Sequence, residues 1–149
     1  MKLLNEELVM TQEDKELLLK DLCARLPYGV EVKYDNSICE LLSVDTYNEE
    51  VTIWKSSGNS PKVKLEKVKP CLFSLSSMTD QQQEELEQEH SKDEMLYIEC
   101  LERTAKGDNS MRGKVITHYA MDWCNKNHFD YRGLIEKGLA IDATGLNIY

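Results

Sequence analysis

Val30-Glu31-Val32-Lys33-Tyr34 opens a stretch, running to Phe73, whose reading decides the fold. Apolar and polar residues alternate in it, which is the period of a strand with one buried face. Asp35-Asn36-Ser37 reads as a turn, Ile38 to Val44 as a further strand, and Tyr47-Asn48-Glu49 as another turn. Val51, Ile53 and Trp54 continue the pattern, and the loop Ser56-Ser57-Gly58-Asn59-Ser60-Pro61 interrupts it. Val63 and Leu65 then alternate with Lys62, Lys64 and Glu66. Short antiparallel strands of this kind need one face covered to be stable. The expectation is an α+β protein with a small antiparallel SH3-like barrel or meander over residues 30–73.

The flanks read as helices. Thr11 with Asp14 resembles a capping box, and Leu18, Leu22 and Leu26 recur at i+4 with Leu19 and Cys23 beside them. Pro27 and Gly29 end that helix. After the strands, Thr79 and Gln82 form a fuller capping box for a second helix. Its first half, from Asp80 to Glu94, is nearly all polar, with Leu86 its lone large aliphatic residue. A helix polar on all sides projects into solvent or rests on a partner. A third helix is expected from Arg112 to Lys126, and a short one from Asp130 to Lys137 with Gly138 as its cap. The organisation expected is an N-terminal helix (1–29) packed on the sheet region (30–75), with a helical region (76–149) completing one unit. Met10 is an alternative initiator to Met1.

Several blocks together resemble a known family. They are Met10-Thr11-Gln12-Glu13 onward to Leu26-Pro27-Tyr28-Gly29-Val30, and Val68-Lys69-Pro70 running into Leu75-Ser76-Ser77-Met78-Thr79. Asp122-Trp123 before His128-Phe129-Asp130-Tyr131-Arg132-Gly133-Leu134-Ile135-Glu136-Lys137-Gly138-Leu139-Ala140 is the most specific, and the tail from Ile141 to Tyr149 is of the same type. The chain so resembles a family of small uncharacterised proteins from gut Bacteroides, their prophages and related phages. The resemblance implies a phage or mobile-element origin. It brings no catalytic or binding residue with it.

Composition narrows the function classes. The net charge is −9, of which −7 falls on residues 74–110. An acidic chain does not attract nucleic acid or an anionic membrane nonspecifically. No apolar run approaches the roughly 20 residues that cross a bilayer, and the first residues lack the pattern of a secretory signal, so a cytoplasmic protein is expected. The five cysteines are unpaired in spacing and read as reduced core residues, with no disulfide framework.

The candidate chemistry is sparse. His118, Asp122, Cys124 and His128 have helical spacing, but 118 and 124 lie about 240° apart around a helix, so no closed metal site follows. No nucleophile elbow, phosphate loop or H-E-x-x-H is present, so no catalytic residue, metal or cofactor is assigned. The expected function is a non-enzymatic accessory protein acting by macromolecular interaction with a host or phage protein. Its candidate partner-binding residues are Glu84, Glu85, Glu87 and Glu89 on the acidic helix, with Tyr131 and Arg132. The competing readings of these are a solvated helix face and a packed turn. The alternative function is a nucleic-acid-binding module using Lys62, Lys64, Lys67 and Lys69 on the last strand, with Trp54 one strand away. Outward lysines that protect a sheet edge give the same pattern.

Overall fold

The alternating stretch folds as an antiparallel meander. The computed structural model describes residues 10–90 and 118–149. Strands β1 (Glu31–Tyr34), β2 (Ser37–Asp45), β3 (Glu50–Trp54) and β4 (Lys62–Lys64) pair in succession, and β5 (Val68–Ser74) returns beside β1. The order runs β4-β3-β2-β1-β5 and continues past β5 to two short strands from the C-terminal part of the chain. Asp35, at φ +60°, turns the chain between β1 and β2, a conformation that aspartate tolerates better than most residues. Between β2 and β3, the Asp45 carboxylate accepts from the amides of Tyr47 and Asn48 and from the Asn48 side chain. Those bonds, the Asn48 side chain first, hold its pKa below the usual carboxylate value. Because β4, at one end of this order, pairs with β3 and does not reach β5, the sheet stays open. The meander is therefore present and a closed barrel is not.

One feature of the last strand departs from the sequence reading. Leu65 and Val68 are both fully buried at a spacing of three, which a strand of period 2 cannot achieve. The chain makes a 3-10 turn at Leu65–Lys67 and starts the separate strand β5. The four lysines of the expected basic strand are thereby split between β4, the turn and β5.

The chain clusters into two compact units. The first holds the residues up to Cys71 with Leu139–Ile141 and Tyr149, and the second holds Leu72–Gly138 and Asp142–Ile148. In the first, register puts Val32 opposite Cys39 and Pro70, Leu41 opposite Ile53, and Val51 opposite Val63 on one side of the sheet. Helix α1 (Gln12–Arg25) lies against β2 and the Leu65–Lys67 turn. Its start is capped by Thr11 Oγ1, which accepts from the Asp14 amide at 3.0 Å. Lys15 bridges to Glu49 and Glu66 at 3.7 and 3.3 Å. The buried side of α1 is Leu18, Asp21, Leu22 and Arg25, whereas Cys23, expected inside, is exposed. Arg25 Nε donates to Asp21 Oδ2 at 2.9 Å, and both side chains are 0% exposed. A 3-10 turn at Leu26–Tyr28 and Gly29 at φ +81° then end the helical segment.

Tyr149 completes this unit. Its hydroxyl accepts from the Glu31 amide at 2.9 Å and donates to the Cys71 carbonyl at 2.7 Å. It bridges β1 and β5 one step beyond the Val32–Pro70 pair, where proline has no N–H to give. The residue as a whole is 43% exposed, but its hydroxyl end is buried, and burial pushes that hydroxyl above the usual tyrosine range.

The second unit is held by aromatic packing. Helix α2 (Asp80–His90) begins with the expected reciprocal cap, Gln82 N to Thr79 Oγ1 and Thr79 N to Gln82 Oε1, at 3.1 and 2.9 Å. Leu86 is 2% exposed and joins Leu75, Ala120, Trp123, Cys124, Phe129 and Tyr131 in one cluster. The lone aliphatic residue of α2 thus anchors it on helix α3 (His118–Lys126). The other expected parts of these two helices, from Ser91 onward and from Arg112 to Thr117, lie outside the described residues. Trp123 and Phe129 stack with centroids 5.5 Å apart.

The short helix expected from Asp130 is absent. Phe129–Asp130 forms a strand, β6, parallel to the end of β5, with Phe73 opposite Phe129. The Asp130 carboxylate accepts from the amides of Arg132, Leu134 and Ile135, and Gly133 sits at φ +79°. Side-chain capture of those donors and a left-handed glycine produce a tight turn in place of a helix.

The Asp21–Arg25 pair gives the first test. Removing one partner strands a buried charge, at a cost of about 3–5 kcal/mol. Urea unfolding of Arg25→Met and of Asp21→Leu should each show such a loss, and the double variant should recover most of it. Additive losses would show that the two groups do not act as a pair.

Candidate binding surfaces

The register that buries one side of the first unit's sheet assigns the residues of the other. Lys62 stands opposite Thr52 and Lys64 opposite Glu50. Trp54 stands opposite Glu40, which faces Glu31, and Ile38 stands opposite Lys33, which faces Lys69. Of the predicted nucleic-acid-binding residues, Trp54, Lys62, Lys64 and Lys69 therefore share one face, and Lys67 lies in the 3-10 turn. Lys62 and Lys64 sit on the edge strand β4, far along the strand order from Lys69. Trp54 is 44% exposed and Ile38 42%. Leu42, equally exposed, is the extra residue of a bulge in β2 between Leu41 and Ser43, a device that re-aims a side chain.

The charges on this face are mixed. Glu50 pairs with Lys64 at 3.9 Å, and Glu31 lies opposite Glu40. Partial burial, and secondarily the charge of Glu40, raise the pKa of Glu31. Ile38, Leu42, Lys33 and the glutamates were not singled out by the sequence. Which residues share a face follows from pairing register, and a bulge shifts the phase of a strand where alternation alone cannot show it.

A shallow cavity of about 180 Å³ opens in the same unit, lined by Lys33, Asp35, Glu66, Lys67, Lys69 and Ile141. Three lysines and two carboxylates meet there, and Glu66 is held by Lys15. Glu66's own backbone amide, then Lys15, lower its pKa.

The second unit carries the other predicted surface. Glu84, Glu85 and Glu87 are exposed on α2, and Glu89 is half-buried. Tyr131 is buried: its ring belongs to the core cluster and its hydroxyl donates to Asn125 Oδ1 at 3.0 Å. Arg132 lies over that ring, 4.8 Å from its centroid, and Nη2 donates to the Tyr131 hydroxyl. Packing accounts for Tyr131, and only Arg132 of that pair reaches the surface. A cavity of about 200 Å³ lies beside Phe73 and Phe129, but the Thr79 and Gln82 side chains that line it already serve the helix cap.

The residues with metal- or nucleophile-like spacing differ in exposure and in helical phase. Cys124 is fully buried, Asp122 and His118 are exposed, and α3 ends at Lys126, so His128, at φ +67°, does not continue its helical phase. Among the described residues no three His, Cys, Asp or Glu side chains gather as a metal site. Cys39 and Cys71 are buried, and burial pushes the Cys71 thiol up to about 11. Among the described residues, no helix is long and apolar enough to cross a membrane. Comparison with family models, curated proteins and solved structures gives no match.

The opposed glutamates give a second test. A carboxyl whose pKa is raised by folding binds its proton more tightly in the native state. Its contribution to stability is full below the unfolded pKa and lost as pH rises through the folded one. Glu31→Gln should therefore unfold at higher temperature than the parent at neutral pH. The difference should vanish well below about pH 4, where both side chains are neutral. Equal melting at neutral pH would contradict it.

Proposed function

We propose that this chain is a non-enzymatic binding module that engages another protein through the open face of its first unit's sheet. The observation that carries the reading is the exposure of Trp54 and Ile38 on that face, with the bulged Leu42 beside them. A solvated face of an antiparallel sheet is normally polar. Grouped tryptophan and aliphatic residues with a polar surround have the composition of an interaction core and its rim. The mixed charge favours a protein over a polyanion, because a nucleic-acid strand stacking on Trp54 would bring phosphates against Glu40 and Glu31.

The exposed carboxylates of α2 (Glu84, Glu85 and Glu87), with Arg132, offer a second surface suited to a basic partner. On the resemblance to the Bacteroides phage family, such a partner would belong to the phage or its host, with the module acting in the cytoplasm. Nucleic acid is the second reading. It is favoured by Trp54, Lys62, Lys64 and Lys69 facing the same way.

Affinity capture with mass spectrometry, comparing the parent with Trp54→Ala/Ile38→Ser, tests the proposal. Truncating central interface residues weakens binding by about 2 kcal/mol or more, roughly thirtyfold. The variant should lose a protein that the parent retains after nuclease treatment, while its unfolding shifts by no more than about 1 kcal/mol. Identical capture would refute the assignment of this face. Retention that nuclease abolishes would favour the second reading.

A further inference from the structure

The cavity beside β1 and β5 brings together three lysines, none of them in an ion pair among the described residues. Lys33 and Lys69 stand directly opposite one another on β1 and β5, and Lys67 lines the same cavity. Like charges directly opposite in an antiparallel pair are destabilising. None of the three makes an ion pair among the described residues. Of the two carboxylates that line the cavity, Asp35 makes no ion pair among the described residues and Glu66 is engaged 3.3 Å away by Lys15. This occurs in a chain whose acids outnumber its bases by 27 to 18.

We infer that the cavity formed by Lys33, Lys67 and Lys69 is a binding site for a small dianion, a phosphate group, free or carried on a small molecule. Three ammonium groups supply charge-assisted donors to the phosphate oxygens. The 180 Å³ volume admits the group with a small substituent. Asp35, which also lines the cavity, accepts from a hydroxyl or from the protonated phosphate oxygen, and Ile141 offers an apolar wall to a substituent. The bound anion removes the repulsion between Lys33 and Lys69 that the unliganded sheet bears. The site involves neither Trp54 nor Ile38 and does not depend on the proposed protein interface.

Calorimetric titration with inorganic phosphate, at constant ionic strength set by chloride, tests the assignment on the whole chain. Saturable one-to-one binding is expected, with a dissociation constant on the order of millimolar or tighter. Lys33→Gln, Lys67→Gln and Lys69→Gln should each weaken it about tenfold, and Lys62→Gln and Lys64→Gln should leave it unchanged. Without phosphate and at low salt, Lys33→Gln and Lys69→Gln should melt above the parent, an independent sign of the unrelieved repulsion. A phenyl phosphate binding more tightly than inorganic phosphate would indicate a carried group, and the reverse a free ion; both support the site. Absence of saturable heat, equal loss in Lys62→Gln, or binding of an oligonucleotide without binding of phosphate would overturn it.

Discussion

The first unit depends on a sheet with a single covered face. Antiparallel strands of a few residues hold together only when one side is buried, and here α1 lies against β2 with Leu18 and Leu22 inward. The same face of α1 carries Asp21 and Arg25 with no exposed surface. Burying two charges costs more than burying two leucines, and their mutual neutralisation offsets part of that cost. The two side chains sit one turn apart on the same helix, so the pair stays together as α1 docks, and the inward Leu18 and Leu22 cover one side of the sheet and leave the other open.

From that constraint the character of the open side follows. Every second residue of β1 to β4 is directed away from the covered core, so Lys33, Ile38, Trp54, Lys62 and Lys64 fall on a common surface. Tyr149 supports the arrangement from the far end of the chain, its hydroxyl bridging β1 and β5 where Pro70 interrupts the ladder. The second unit is stabilised differently, by stacked aromatic rings and by Asp130, whose carboxylate gathers three amides into a turn.

Much of this was legible in the sequence, because local rules govern it. The alternation from Val30, the turns at Asp35 and Asn48, and the caps at Thr11 and Thr79 all depend on neighbours within a few residues. What escaped depends on distant ones. An i+4 leucine stripe predicted an apolar helix face, yet Asp21 and Arg25 are buried there and Cys23 is not, because pairing makes a charge compatible with a core. The turn after Asp130 carries the residues of a helix, but its carboxylate competes successfully for the amides. The lysines from Lys62 to Lys69 read as one strand, but the step from Lys64 to Lys67 is three residues, and burial of both Leu65 and Val68 breaks that strand in two. The candidate surfaces were only half visible, since Trp54 and the lysines stand out by type and Lys33 and Ile38 join them only through register.

The central claim is that the face bearing Trp54 is open to solvent and to partners. Two tryptophans make this directly measurable, because Trp123 is 9% exposed in the second unit's core and Trp54 is 44% exposed on the sheet. Acrylamide quenching of the folded single-tryptophan variants Trp123→Phe and Trp54→Phe compares the two environments. The structure predicts that Trp54 is quenched readily and Trp123 is shielded. Equal shielding of Trp54 would contradict an open face.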